Sequence, residues 1–227
     1  GVFDIAYLRK IPKMTLMAPR DGNEFEKMLE FAASYEAGPI AIRYPRGTLP
    51  EVSLEWWTRN PAPISYGCAE VLKQGRDVLL LGIGSMVETA AKAAALLSED
   101  GIDAAVVNAR FVKPLDEETI LSMIGGKSCI VTLEEGALQG GFGSAVLEML
   151  QSKGLQVPVL RFGVPDRFVE HGPRPLLLDR LNLTAERIRQ RIVEKQVRKN
   201  DSPERNEERR LGDRRASVAR AANGENG

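Results

Sequence analysis

An α/β fold is predicted for this 227-residue chain, a mostly parallel sheet with helices on both faces, preceded by the end of a second α/β domain. Three features predict it. Strand and helix patterns alternate regularly from Gly67 to about residue 194. One of those strands, DVLLLGI at 77–83, is apolar without interruption, as strands covered on both faces are. The first fifty residues already read strand, helix, strand before a proline-rich break.

The first strand is the short apolar run MTLMA at 14–18, stopped by Pro19. Asp21 with Glu24 three residues on forms a capping-box signature, and Phe25, Met28, Leu29 and Ala32 follow at helical spacing. PIAIRY at 39–44 is the second strand, ended by Pro45 and Gly47. Two strands and one helix cannot enclose a core, so this piece must pack on the rest of the chain or on something outside it. Pro50, Pro61 and Pro63 then break any period, and the adjacent Trp56 and Trp57 are expected to pin this connection to a domain surface, with a ligand stack as the alternative. The expected organisation is residues 1–50 as the end of one domain, 51–66 as linker, 67–194 as a complete α/β domain and 195–227 as a disordered charged tail.

Within 67–194, Ser85 and Glu88 read as a capping box for an alanine-rich helix running to about residue 99, with Gly101 as its stop. Strands follow at 104–108, 128–133 and 157–162, helices at 116–124 and 143–153, and two short helical pieces between 179 and 195. Repeated units of this length imply parallel strands and right-handed crossovers. From Lys195 onward the chain holds 9 basic and 6 acidic residues, no aromatic and little aliphatic content. Such a segment cannot offset a backbone ordering cost of ~1 to 2 kcal/mol per residue.

Lys+Arg and Asp+Glu stand at 31 each with 43% apolar residues, so charge gives no reason to expect nucleic acid or a membrane surface as partner. No apolar run approaches the roughly 20 residues of a membrane span. Cys68 and Cys129, without CxxC spacing, suggest neither zinc nor a disulfide and are expected to be small buried hydrophobes in a reducing cytoplasm. A chain opening on Gly1 without Met is expected to be cut from something longer.

Four places could carry chemistry. The turn in LEEGALQGGFGSAVLEML brings Gly140, Gly141 and Gly143 to a helix start, where free N–H groups suit an anion. It lacks a P-loop Lys and the spacing of a dinucleotide fingerprint, so tight turning is the competing reading. Glu134 and Glu135 close a strand, and as neighbours they point to opposite faces, which excludes a side-by-side acid and base. His171, the single histidine, sits in a Gly/Pro-flanked polar stretch expected at a surface or interface, and no hydrolase triad can be assembled around it. Arg43 and Arg46 in IRYPRG stand at a strand's carboxyl edge, suited to phosphate or, equally, to an interdomain salt bridge.

Read together, GVFDIAYLRKIPKMTLMAPRDGNE, GPIAIRYPRG, NARFVKPLDEETI, LEEGALQGGFGSAVLEML and VPDRFVEHG resemble blocks of the 1-deoxy-D-xylulose-5-phosphate synthase family, thiamine-diphosphate enzymes of the transketolase group. The resemblance covers residues 1 to about 194. It implies a transketolase C-terminal domain at 67–194 behind the end of a pyrimidine-binding domain. It further implies a homodimeric transferase that joins pyruvate to glyceraldehyde 3-phosphate with loss of carbon dioxide, using thiamine diphosphate and Mg²⁺. Arg46 matches the arginine with which that family binds the acceptor's phosphate, and Arg43 is a candidate by proximity. The family's diphosphate and metal motif, its activating glutamate and the histidine just before Gly1 all fall upstream, so no residue here is expected to bind cofactor or metal, and the fragment alone is expected to be inactive. Alternatives are a 2-oxo-acid dehydrogenase β-subunit and a non-catalytic dimerisation or regulatory module.

Overall fold

The computed structural model describes residues 1–45, 47, 52–58 and 60–200, the side chains of 197–200 apart. The chain forms two compact units, Gly1–Arg189 and Gln190–Gly227. Fifteen elements run in the order α1 (Asp4–Leu8), β1 (Thr15–Met17), α2 (Gly22–Ala33), β2 (Ile40–Ile42), β3 (Glu70–Lys73), β4 (Val78–Gly82), α3 (Met86–Glu99), β5 (Ala104–Asn108), β6 (Phe111–Lys113), α4 (Glu117–Met123), β7 (Cys129–Ala137), α5 (Phe142–Ser152), β8 (Val159–Val164), α6 (Arg174–Arg180) and α7 (Ala185–Asn200) among the described residues.

The main sheet has the order β3-β5-β4-β7-β8, in which β5, β4, β7 and β8 are parallel and only the edge strand β3 is antiparallel. The apolar run recognised in the sequence is β4, in the middle of this sheet, with every residue buried. Leu79 and Leu81 join Ala105, Val107 and Ile130 in one cluster with Ile120 of α4 and Phe142 and Val146 of α5. Leu80, Val106 and Val131 alternate to the other face, and α3, with Ala90, Ala94 and Leu97 buried, packs on β4, β5 and β7. Each fully buried Leu here contributes on the order of 2 to 3 kcal/mol.

A second sheet, β2-β1-β6, answers where the first segment packs. β1 pairs parallel with β2, Leu16 opposite Ala41, and antiparallel with β6, Leu16 opposite Lys113. The chain itself therefore closes the N-terminal strands, by a strand inserted between β5 and α4. Phe111 of β6, Met17 and Met28 form the small core beneath. The connection is pinned as expected: Trp57 is buried with Val52 against Val87 and Ala91 of α3.

Several local expectations are corrected. Ser85 occupies the N-cap of α3 in helical geometry and makes no cap bond; its hydroxyl goes to Glu135. Asp21 does cap α2 through Glu24 N, whereas the Glu24 carboxylate reaches Arg20 N, one residue beyond a reciprocal box. Cys129 is buried but Cys68 is exposed. β7 extends to Ala137, and α6 begins at Arg174, earlier than the helical piece read from 179. In the second unit the described residues continue α7 to Asn200, with Gln190 donating to Glu194 at 3.1 Å. Of the tail expected to be disordered, 195–227, residues 195–200 belong to α7 instead, and 201–227 lie outside the described residues.

Candidate functional site

The carboxyl ends of parallel strands are where open α/β sheets gather ligands, and here β2, β4 and β7 end near one another. Glu134 and Glu135 of β7 point apart, as adjacent strand residues must. Glu134 is fully buried and turns to the N-terminus of α5, where Oε2 accepts Phe142 N at 2.7 Å and Oε1 accepts Gly143 N at 2.9 Å. The N–H groups at the glycine turn are thus taken by the chain's own Glu134 carboxyl group. Burial pushes the Glu134 carboxyl up, against the two backbone N–H groups and the charges of Arg161 and Arg9 that hold it down.

The glycines are there for close approach. A Cβ on Gly141 would lie 2.2 Å from Glu134 Oε2 and 2.2 Å from Ala137 O, and one on Gly143 would meet Thr132 Oγ1 at 2.7 Å. Replacing Gly141 with Ala is expected to cost ~3 kcal/mol or more, because backbone and a bonded carboxylate must both move. Chemical denaturation of the variant checks this; a midpoint equal to wild type would contradict it.

Glu135 faces the other way, into a charged cluster. Its carboxylate takes Arg174 side-on, Nε to Oε1 at 2.9 Å and Nη2 to Oε2 at 2.7 Å, and accepts Ser85 Oγ at 2.8 Å. Its carbonyl oxygen accepts Arg43 Nη2 at 2.7 Å. Burial alone would raise the Glu135 carboxyl, but the hydrogen bonds and charge of Arg174, with Ser85 and Arg43, outweigh it and hold the value below the ordinary 4.5.

A depressed folded value means that Glu135 stabilises fully above 4.5 and loses that contribution as pH falls through the folded value. Glu134 and Glu24, raised by burial, act in the opposite sense: their contribution is complete below 4.5 and is lost as pH rises through their folded values. Glu135→Gln is therefore expected to lower Tm most near neutral pH, with the gap to wild type narrowing as pH falls from 4.5 through the folded value. Thermal melts across pH check this; a gap that widens in acid would contradict the assignment.

Arg43, at the end of β2, is already partnered. Besides the Glu135 carbonyl it lies 3.8 Å from Asp4 and 4.0 Å from the Glu135 carboxylate, contacts that join the N-terminal segment to β7. Arg46 lies outside the described residues. Tyr44 between them packs on Phe25, ring centroids 4.6 Å apart. Asp4, Arg43, Tyr44, Glu135 and Arg174 line a cavity of about 280 Å³, with Leu177 and Leu178 of α6 on its apolar side. His171 is exposed in the loop before α6.

A second charged cluster was not read from the sequence. Glu24 is fully buried and accepts Arg110 Nε at 2.8 Å, Asn108 Nδ2 at 2.8 Å and Arg20 N at 2.7 Å. Arg20, also fully buried, lies 3.3 Å from Asp21 and 3.4 Å from Glu70, donates to Thr58 O and sits 4.6 Å over the Trp57 ring. The one sequence trace of it is Glu24 in the capping-box position. Its side-chain partners Asn108 and Arg110 are 84 and 86 residues away.

Thiamine diphosphate and a metal find no matching donor set among the described residues. Among the described residues no group of three or more His, Cys, Asp or Glu side chains is arranged to hold a metal ion. The carboxylates at the strand ends are committed to arginine and to backbone N–H groups, so these residues do not fit a diphosphate and its cation. No described helix is long and apolar enough to cross a membrane.

This arrangement, a parallel sheet whose carboxyl edge meets the end of a second α/β segment, is that of the transketolase group. The family model described as transketolase, C-terminal domain, matches residues 67–188, and that of the transketolase pyrimidine binding domain matches 1–52. The former alone spans more than half of the chain, which belongs to the transketolase family. Within that family the chain is 52% identical over 196 residues to the 1-deoxy-D-xylulose-5-phosphate synthase of Gloeobacter violaceus, covering 86% of this chain and 30% of that protein. It is 53% identical over 186 residues to 1-deoxy-D-xylulose-5-phosphate synthase 1 of Geobacter sulfurreducens, covering 82% and 29%. Among solved structures it is similar to a split gene transketolase described as an inactive β4 tetramer, with 34% identity and a TM-score of 0.74 over 83% of this chain and 59% of that one. The chain thus spans about 30% of the length of the curated relatives it matches.

Proposed function

We propose that these residues are the carboxy-terminal part of a 1-deoxy-D-xylulose-5-phosphate synthase and that their share of the reaction is recognition of the acceptor's phosphate. The observation that carries this is identity of about half to relatives of that name, across more than four fifths of the chain. The reaction joins the two-carbon acetyl unit of pyruvate to the aldehyde carbon of glyceraldehyde 3-phosphate and releases carbon dioxide. It supplies precursor for isoprenoids and for thiamine, and we place the enzyme in the cytoplasm as a homodimer. Thiamine diphosphate supplies the electron sink that this chemistry needs, held with Mg²⁺ by sequence beyond these residues.

Within this reading Arg46 of the YPRG sequence binds the phosphate, and Arg43 is a second candidate by its nearness in sequence. The contacts of Arg43 with Asp4 and Glu135 support a bracing part for it as much as a direct one. A synthase-length polypeptide containing this chain should form 1-deoxy-D-xylulose 5-phosphate and one carbon dioxide per turnover from the two substrates. Two-carbon exchange between sugar phosphates without carbon dioxide would overturn the proposal. The 227-residue chain alone should give a flat calorimetric titration with thiamine diphosphate and Mg²⁺, and saturable micromolar binding would mean that the cofactor site is misplaced. The likeness to a split gene transketolase favours one second reading, a subunit that works with a separately encoded chain. Activity appearing only when two polypeptides are mixed would select it.

A further inference from the structure

A connection between two domains ordinarily carries few contacts and opens easily. Here three cationic side chains hold it by its own backbone. Arg20 Nη2 donates to Thr58 O at 2.7 Å, Lys27 Nζ donates to Pro61 O and, at 3.1 Å, to Asn60 Oδ1, and Arg110 Nη2 donates to Ala62 O at 3.1 Å. Rings fasten both ends. Trp57 covers the Arg20 guanidinium at 4.6 Å while packing on Val87 and Ala91 of α3. Tyr66 stacks on Tyr35, centroids 5.7 Å apart, and meets Phe111 of β6 edge-on at 6.2 Å. Between the rings Ile64 packs on the cluster of Met17, Met28 and Phe111. Residues 20, 27, 28 and 35 thus meet 58, 60, 64 and 66 in the same order, so the stretch runs beside α2 from before its first turn to past its last.

The dependence is mutual. Arg20 and Arg110 have side-chain exposures of 0% and 3%. Among the described residues Thr58 O is the one hydrogen-bond acceptor of the Arg20 guanidinium, whose Nε and Nη1 make only the longer ion-pair contacts with Asp21 and Glu70. Lifting the stretch away strips a buried cation of that acceptor and of the ring over it, a loss far heavier than that of an exposed contact. We propose that residues 57, 58 and 60–66 are a strap, a conformational device that joins α2, the Arg20–Arg110 cluster and the strap itself into one cooperative unit, which opens as a whole while the main sheet stays closed.

Amide hydrogen exchange in the 227-residue chain tests this from both sides. Trp57→Leu alters the strap where it meets α3 and Arg20, outside α2, yet exchange over 22–33 should quicken roughly 10-fold or more, and exchange over 60–66 by the same factor within about 3-fold. Lys27→Met removes the strap's bonds from the helix side with little change in helix propensity, and should quicken 60–66 and 22–33 together by roughly 3-fold or more. In both variants exchange in the central strands 78–82 and 104–108 should stay as in wild type. The wild-type chain gives a reading that needs no substitution: in low denaturant the slowest amides of 22–33 and of 60–66 should converge on one opening free energy and one slope, below those of the central strands. Should Trp57→Leu not fold, the other two readings decide. Exchange over 22–33 left unchanged while 60–66 quickens, separate slopes for the two stretches in wild type, or equal quickening of the central strands would each overturn the proposal.

Discussion

Replacing Arg46 with Ala in the synthase-length enzyme is expected to lower kcat/KM for glyceraldehyde 3-phosphate by roughly 10- to 200-fold. A charge-assisted hydrogen bond to phosphate is worth ~1.5 to 3 kcal/mol, loss of a bidentate pair reaches the upper end, and each 1.4 kcal/mol is about a factor of ten. Lys at this position should restore only part of the loss, being a point charge without the planar fork. Formation of the first pyruvate adduct should be nearly unchanged, because it precedes capture of the acceptor. Steady-state kinetics with both substrates varied, together with single-turnover loss of pyruvate, checks each clause. An acceptor KM left untouched, or a pyruvate step slowed as much as the whole reaction, would assign the arginine to a structural ion pair.

The largest stability effect is expected at Glu24. Its carboxylate is fully buried and bonded to Arg110, Asn108 and the backbone of Arg20, so Glu24→Ala strands a buried guanidinium and an amide. Breaking one partner of such a pair costs ~3 to 5 kcal/mol, and at about 2 to 4 °C per kcal/mol for a domain of this size Tm should fall by roughly 6 to 20 °C. Replacing both partners, Glu24→Leu with Arg110→Met, should recover much of that loss, since two apolar groups leave no orphaned charge. A fall of less than about 2 °C in the single variant would mean that water reaches the cluster. Glu24 lies on α2, which joins β1 to β2 along the chain, while Arg110 immediately precedes β6, the third strand of their sheet.

How much of this was legible in the sequence depended on whether the signal was local. The uninterrupted run at β4 and the alanine face of α3 identify themselves, since burial on both faces leaves a pattern that needs no knowledge of partners. β3 and β6 were missed for the opposite reason. Each is only three or four residues long, and each is a strand because of what lies beside it, β5 in one case and β1 in the other. Ser85 shows how a local motif misleads: its spacing from Glu88 fits a capping box, yet its hydroxyl accepts Arg174 and donates to Glu135, fifty or more residues away. Glu24 carried a local signature that was real in part, since Asp21 does cap the helix, while its carboxylate serves partners that no spacing rule connects. The pairing of Arg43 with Glu135 is of the same kind. Arg43 and Arg46 could be singled out because two arginines around a Tyr-Pro corner are locally conspicuous, but the choice between phosphate and ion pair turns on residues ninety positions on.

The measurement that bears most directly on the central claim is a graft. Residues 1–194 of this chain would replace the matching segment of the Gloeobacter violaceus synthase, and the chimera, once shown to be folded and loaded with thiamine diphosphate and Mg²⁺, would be assayed with pyruvate and glyceraldehyde 3-phosphate. If these residues supply acceptor-phosphate recognition for a synthase, the chimera should make 1-deoxy-D-xylulose 5-phosphate with kcat/KM for the acceptor within roughly 10-fold of the parent, the margin of about 1.4 kcal/mol that a foreign interface can cost. A folded, cofactor-loaded chimera that decarboxylates pyruvate but cannot use glyceraldehyde 3-phosphate would contradict it.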